Sequence, residues 1–294
     1  MIRISDEVRE AGAVVALETT LIAHGFPAGE GVGVGRESEQ RVREAGAVPA
    51  TIGVLDGEIR VGLSGDELER FDSDARKVGP RDLAACVAQG AVGATTVGGT
   101  LAVCRAAGIR FMATGGIGGV HRGYPHPPDV SADLGELART QVLVVSSGIK
   151  SLLDVPATLE ALETLGIPVA GYRTDTLPLF YSASGGPPVP ARIDSPAEAA
   201  RVASVHWGLG GSGVLLAQPP PRSLDEVEPL IEQALADADS QGVRGQAVTP
   251  FVLSFLHERS GGRTLAVNRE LILANAGLAS EVAASEAGDR QRAD

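Results

Sequence analysis

The sequence predicts a three-layer α/β/α domain built on a central, largely parallel sheet. Short apolar runs of strand length alternate with amphipathic runs of helix length through most of the chain. Of the 294 residues, 44% are hydrophobic and 21% charged, the balance of a chain that buries a core. No repeat of fixed period and no long linker divides it, so residues 1–284 read as one domain and the polar residues 285–294 as a frayed tail.

The elements follow in order. Val14–Glu18 reads as a strand and Gly35–Gly46 as a helix. Ala50–Leu55 and Glu58–Leu63 flank Asp56-Gly57, a strong hairpin signal that adds an antiparallel pair. Ser64-Gly-Asp-Glu67 is a capping box that opens a helix to about Phe71. Uncharged Leu83–Cys104 holds too many Gly and Thr residues for a membrane span and reads as two short buried helices joined by a turn. A buried strand at Ile109–Ala113 runs into the glycine loop Thr114–Gly123. Ser131–Thr140, Pro156–Leu165 and Ser195–Gly208 read as helices, interleaved with strands at Gln141–Ser146, Pro168–Tyr172 and Gly213–Ala217. Helices at Leu224–Ala238, Pro250–Arg259 and Leu265 to about Ala284 complete the chain.

Composition excludes several functions. A net charge of −12 argues against general nucleic-acid binding and gives no drive toward anionic membranes. An anionic substrate must be held locally. Cys86 and Cys104 lie in apolar, Ala-rich surroundings and read as reduced core thiols. The N-terminus carries acids early and lacks an apolar leader segment, which gives the expectation of a cytoplasmic protein.

Ligands of such sheets bind at the carboxyl ends of strands. Four predicted ends are polar: Glu18-Thr-Thr with His24 beyond it, the loop Thr114–Gly123, Ser146-Ser-Gly-Ile-Lys150, and Arg173-Thr-Asp175. The glycine loop has neither G-x-G-x-x-G nor Walker spacing, so nucleotide cofactors are weakly supported; its amides could hold an anion or simply make a tight crossover. Among 25 Lys and Arg residues only Lys77 and Lys150 are lysine. A lysine in a dry pocket beside another cation becomes a neutral nucleophile, which arginine cannot do. Lys150 follows a strand end, and Lys77 could hold a phosphate, serve as that second cation or sit in a surface ion pair. Asp129-Val-Ser-Ala-Asp133 opens a helix, with Ser131 as N-cap and Asp133 at the positive end, or else offers a phosphate site and an acid for Mg²⁺ or Mn²⁺. His121 and His126 have no zinc spacing.

The segments Val15-Ala-Leu-Glu-Thr-Thr-Leu-Ile-Ala-His-Gly25, Pro49-Ala-Thr-Ile52, Lys77-Val-Gly-Pro-Arg-Asp-Leu83 and Gly93-Ala-Thr-Thr-Val97 carry a resemblance. So do Ala113-Thr-Gly-Gly-Ile-Gly-Gly-Val-His-Arg-Gly123, Asp129-Val-Ser-Ala-Asp-Leu134, Gly148-Ile-Lys-Ser151, Leu159-Glu-Ala-Leu-Glu-Thr164, Thr249-Pro-Phe251 and Asn268. Together they resemble the pseudouridine-5′-phosphate glycosidase family, also called indigoidine synthase A-like proteins. The resemblance implies a homotrimeric, Mn²⁺-dependent enzyme that splits the C–C glycosidic bond of a nucleotide, fed by a separate pseudouridine kinase. It implies Lys150 as Schiff-base nucleophile and Glu18 as proton donor. Lys77, Val97, Ser131, Ala132 and Asp133 would contact substrate, His121 and Asn268 would line the site, and Asp129 would bind the metal.

Two departures stand out: Ser146-Ser-Gly-Ile149 where relatives commonly carry Cys-Ala-Gly-Ala, and the glycine-rich Gly29–Gly35, expected to reshape the entrance. Two rival expectations remain: a Schiff-base lyase or aldolase on another sugar phosphate, and a non-catalytic trimeric phosphosugar- or nucleotide-binding protein.

Overall fold

The computed structural model describes residues 2–123 and 128–293. Its strands are β1 Ile2–Ile4, β2 Val14–Glu18, β3 Val48–Leu55, β4 Glu58–Val61, β5 Arg76–Val78, β6 Gly93–Thr95, β7 Phe111–Ala113, β8 Leu143–Ser146, β9 Val169–Tyr172, β10 Ala191–Ile193 and β11 Val214–Ala217. Its helices are α1 Asp6–Glu10, α2 Thr20–His24, α3 Gly31–Glu44, α4 Gly65–Leu68, α5 Leu83–Ala88, α6 Val97–Ala107, α7 Ala132–Leu137, α8 Val155–Thr164, α9 Pro196–Gly208, α10 Glu228–Ser240, α11 Val248–Arg259 and α12 Arg263–Ala293.

The strands form one sheet in the order β1-β4-β3-β2-β7-β8-β11-β9-β10, with β6 also pairing β3 and β5 pairing β6. Pairing is parallel except at β3–β4 and β3–β6. The expected three-layer fold is what forms. Its central strands are apolar on both faces because each face packs a buried cluster. One cluster joins Ala16, Met112, Val144 and Leu215 to Leu101, Leu134, Leu162 and Leu271. The other joins Val15, Phe111, Val145 and Leu216 to Val42, Ala203, Trp207 and Ala279. Cys86 and Cys104 are buried free thiols, and burial pushes the Cys104 thiol up to about 12.

Where the structure differs from expectation, short elements and close packing are responsible. The segment between α5 and α6 is strand β6 rather than a turn, and Lys77 sits on strand β5 beside it, in register with Ala94. Three-residue strands are too brief to show alternation. The capping box at Ser64 forms, but α4 ends at Leu68. Helix α3 begins at Gly31, so the glycine-rich Gly29–Gly35 runs into its first turns instead of forming an entrance loop. A Cβ at Gly31 would lie 1.8 Å from the Ile22 carbonyl oxygen, so glycine there lets α3 seat against α2. Residues 285–293 continue α12, in keeping with the helix-favouring Ala, Glu, Gln and Arg they contain. His126 and the loop around it lie outside the described residues.

Candidate active site

The sheet order places β2, β7 and β8 side by side, so Glu18, Thr114 and Ser147 emerge at adjacent strand ends. Buried threonines bring the next element in. Thr19 and Thr95 both donate their hydroxyls to the Ile52 carbonyl at 2.7 Å, and the Thr95 amide donates to Thr19 Oγ1 at 2.8 Å. That knot sets the start of α6, where Thr96 caps the helix through the Gly99 amide. After β8, Gly148 takes φ +80 and donates no side chain to the turn; a Cβ there would sit 2.1 Å from the Pro178 carbonyl oxygen. The Lys150 amide then donates to Ile117 O at 3.1 Å, fixing the lysine against the glycine loop.

A cavity of about 710 Å³ results. Glu18, Lys77, His121, Asp129, Lys150 and Asn268 line it, together with Ser131, Ala132 and Asp133 from the start of α7. Phe180, on the far side of the β8 turn, and Thr249, Pro250 and Leu253 of α11 complete its apolar wall. Three of the four predicted polar strand ends therefore converge. The fourth does not: Arg173 Nε donates to the Asp194 carbonyl, and Asp175 pairs with Arg192, one strand beyond β11.

Glu18 is 8% exposed and accepts a 2.5 Å hydrogen bond from Thr114 Oγ1. Burial pushes its carboxyl above the usual range, opposed by the positive charges of Lys150 and Lys77 and reinforced by Asp133. A proton donor needs that protonated form. Lys77 is lowered to about 8, first by burial and then by the charge of Lys150. The two lysines of the chain thus share one electrostatic pocket.

Asp133 has a role that spacing could not show. Its Oδ1 accepts from the Gly98 amide at 2.7 Å and its Oδ2 from the Gly118 amide at 2.8 Å, so the buried carboxylate ties α6, the glycine loop and α7 together. Ser131 caps the same helix through the Asp133 amide. A Cβ at Gly118 would lie 2.3 Å from Ser131 Oγ and 2.8 Å from Asp133 Oδ2. Gly118→Ala is expected to cost roughly 1–3 kcal/mol of stability, as overpacking does, read from urea unfolding. Val97, expected to contact substrate, is buried in the core and is not among the residues that line the cavity, because it points inward from the first turn of α6.

His121 Nδ1 lies 3.9 Å from Asp129 Oδ2, and burial lowers the imidazole below its usual pKa. Among the described residues no group of three or more His, Cys, Asp and Glu side chains forms a metal cage. One carboxylate with a neighbouring imidazole fits a hard divalent ion that keeps most of its water.

Two interactions at this site are not legible in the sequence. Thr114 holds Glu18, and Asn275 Nδ2 donates to Thr114 O at 2.9 Å and Ser147 Oγ at 3.2 Å, tying the β7 and β8 ends to α12. Asn275 follows Asn268 by seven residues on one helix, two turns along the same face, which is the signal a reader of the sequence could have used.

Comparison with known proteins places the chain in a family. The chain is 47% identical over 294 residues to pseudouridine-5′-phosphate glycosidase of a Nocardioides species, covering 98% of this chain and 96% of that protein. It is 50% identical over 281 residues to the protein of the same name from Deinococcus radiodurans, covering 93% and 90%. Among solved structures, the prealnumycin C-glycosynthase AlnA in complex with ribulose 5-phosphate superposes with a TM-score of 0.89 at 40% identity, covering 99% of each chain. An indigoidine synthase A-like protein from Thermotoga maritima gives 0.87 at 39%, covering 96% of this chain and 95% of the other. The profile of the family described as indigoidine synthase A like protein matches residues 3–285. With the whole domain matched in sequence and in fold, this chain belongs to the indigoidine synthase A-like family.

Proposed function

We propose that this protein splits the C–C glycosidic bond of pseudouridine 5′-phosphate, giving uracil and ribose 5-phosphate, through a Schiff base on Lys150. The observation that carries the reading is the convergence of a buried Glu18, its carboxyl raised above the usual range by that burial, with Lys77 and Lys150 on one cavity. Homology to proteins named for this activity supports it.

The chemistry requires such a pair. Ordinary glycosidases protonate an oxygen or nitrogen leaving group between two carboxylates, and a carbon-linked uracil leaves poorly by that route. Attack of the Lys150 amine on C1′ breaks the C1′–O4′ bond, and Glu18 gives its proton to O4′ as the ring opens. The ammonium so formed gives up a proton, the freed nitrogen lone pair forms the iminium as the C1′–uracil bond breaks, and the uracil carbon that keeps the bonding pair takes up a proton in its place. Water hydrolyses the iminium, releases ribose 5-phosphate and restores Lys150. Arginine has no accessible neutral form for the first step.

Lys77 and the start of α7 serve substrate binding, with the Val97 amide at the start of α6 as a further contact, while His121 and Asn268 line the cavity. Asp129, with His121 beside it, would hold the Mn²⁺, which supplies positive charge next to the substrate. Release of uracil, followed by absorbance with and without Mn²⁺, tests the activity. A protein that turns over other sugar phosphates yet releases no uracil would be the rival lyase. AlnA, a C-glycosynthase, favours running the same assay in the synthetic direction from uracil and ribose 5-phosphate as well.

Lys77 gives a pH signature. An ammonium there holds a phosphate below about pH 8 and is lost as pH rises through that value. Hence kcat/KM is expected to fall on the alkaline side near pH 8 and Lys77→Arg, which stays charged, to lose that limb. A limb unchanged in the arginine variant would assign it elsewhere.

The described residues contain no helix long and apolar enough to cross a membrane. We further propose a homotrimer acting in the cytoplasm downstream of a separate kinase, in line with the family resemblance.

A further inference from the structure

Phe180 holds a backbone conformation that its side chain makes costly. Leu179 and Ser182 pair across a two-residue turn, the Leu179 amide donating to Ser182 O at 2.9 Å and the Ser182 amide to Leu179 O at 3.4 Å. Phe180, the first residue between them, has φ +60, while Tyr181, the second, is not at positive φ. A turn with positive φ at its first central residue alone ordinarily takes glycine there, and a bulky side chain in that region is strained. Strain of this kind persists where the surroundings impose it, and it points to a function for the residue that bears it. Phe180 is 5% exposed, and its contacts are all at the active site or beneath it. Its amide donates to Ser147 O at 2.9 Å, and its ring meets the buried Tyr181 ring edge to face, with centroids 4.7 Å apart. A Cβ built on Gly116 would lie 2.6 Å from Phe180 Cδ2 and 3.4 Å from Gly148 O, and one on Gly115 would lie 3.4 Å from Phe180 Cε2. The ring therefore rests on the bare backbone of the glycine loop, beside the Gly148 carbonyl. The two segments it touches are the ones that hold Lys150. Gly148 O accepts from the Ile117 amide at 3.2 Å, and Ile117 O accepts from the Lys150 amide at 3.1 Å.

We propose that Phe180 is a positioning residue for Lys150: its amide and ring clamp the turn after β8 against the glycine loop and so fix the point from which the Lys150 amine attacks C1′. The inference rests on the Schiff-base role of Lys150 in the proposed reaction. A lysine on a loosened turn samples more directions, and a misplacement of about 1 Å can cost on the order of 10²-fold in rate. Glycine at position 180 would suit the turn but would leave Gly115 and Gly116 with no ring against them. The strained backbone and the three glycines Gly115, Gly116 and Gly148 are thus parts of one arrangement, in which a large apolar ring is brought close to a backbone crossing that has no side chains of its own.

Phe180→Ala removes the ring and keeps a side chain at positive φ, whereas Phe180→Leu keeps apolar bulk over Gly116. With ribose 5-phosphate and borohydride, the maximal rate of adduct formation on Lys150 should fall by about 10- to 100-fold in Phe180→Ala, and kcat for uracil release should fall with it. The half-saturating ribose 5-phosphate concentration and KM should stay within about twofold, because the ring acts on the lysine and not on binding. Phe180→Leu should recover most of the loss, with circular dichroism showing both variants folded. Phe180→Gly lacks the ring but relieves the backbone, so it should resist urea better than Phe180→Ala and takes its place if the alanine variant does not fold. A second measurement needs no ligand. In the full chain, peptides holding the Ile117 and Lys150 amides should exchange hydrogen about tenfold faster in the ring-less variant, with the β3 amides unchanged. Wild-type trapping by that variant, or unchanged exchange at those amides, overturns the proposal. Weaker binding of pseudouridine 5′-phosphate with an unchanged trapping rate overturns it too and makes the ring a wall for the uracil. If the wild type forms no adduct and releases no uracil, the Schiff-base reading fails, and hydrogen exchange alone decides whether Phe180 holds the turn.

Discussion

Lys150→Arg is expected to be as inactive as Lys150→Ala, with kcat lower by on the order of 10⁴-fold or more in each, as when a nucleophile is lost. The comparison is informative because the two variants differ in everything except the missing neutral amine. Arginine keeps the positive charge that Lys150 lends to the pocket, where it acts on both Glu18 and Lys77. If Lys150 served only as a cation for phosphate, arginine would do the work and alanine would not. The turn that presents this residue is made by the backbone, through Gly148 and the amide bond to Ile117, so both variants should fold. Circular dichroism checks folding and uracil release checks activity. Substantial turnover by the arginine variant would remove Lys150 from the covalent step.

Glu18→Gln is expected to lower kcat by about 10²- to 10⁴-fold while leaving ligand affinity nearly unchanged. A glutamine oxygen can still accept from Thr114 Oγ1, so the strand end stays in place. What disappears is the transferable proton. Stability should move in the opposite direction to activity. The wild-type carboxyl is raised by burial, so its favourable contribution is fully present below the usual carboxyl pKa and is lost as pH rises through the raised value. Glutamine has no such titration. At neutral pH the variant should therefore unfold at an equal or higher temperature than the wild type. A variant that is both inactive and markedly less stable at neutral pH would make Glu18 a structural residue.

The strands that carry the site could be read from sequence because each is a clear apolar run closed by polar residues. Val14–Glu18 is recovered to the residue, and the Asp56-Gly57 hairpin forms with both residues at positive φ. What could not be read is partnership across the fold. The spacing of Asp129-Val-Ser-Ala-Asp133 leaves a helix cap and a ligand site equally open, and only the placement of Gly98 and Gly118 shows both Asp133 oxygens taken by amides. Arg173-Thr-Asp175 has the same polar composition as the other strand ends, but the sheet order sets β11 between β8 and β9 and so carries it away from the site. Lys77 was visible as a rare lysine, but its depressed pKa depends on burial and on Lys150, 73 positions away in the chain.

The covalent role of Lys150 is the centre of this account, and trapping tests it most directly. The full-length protein is incubated with ribose 5-phosphate and borohydride, then digested and analysed by mass spectrometry. Reduction of an iminium should leave the sugar phosphate attached to Lys150 alone, and Lys150→Arg should give no adduct. An adduct on Lys77, or none on either lysine in a protein that still releases uracil, would contradict the mechanism.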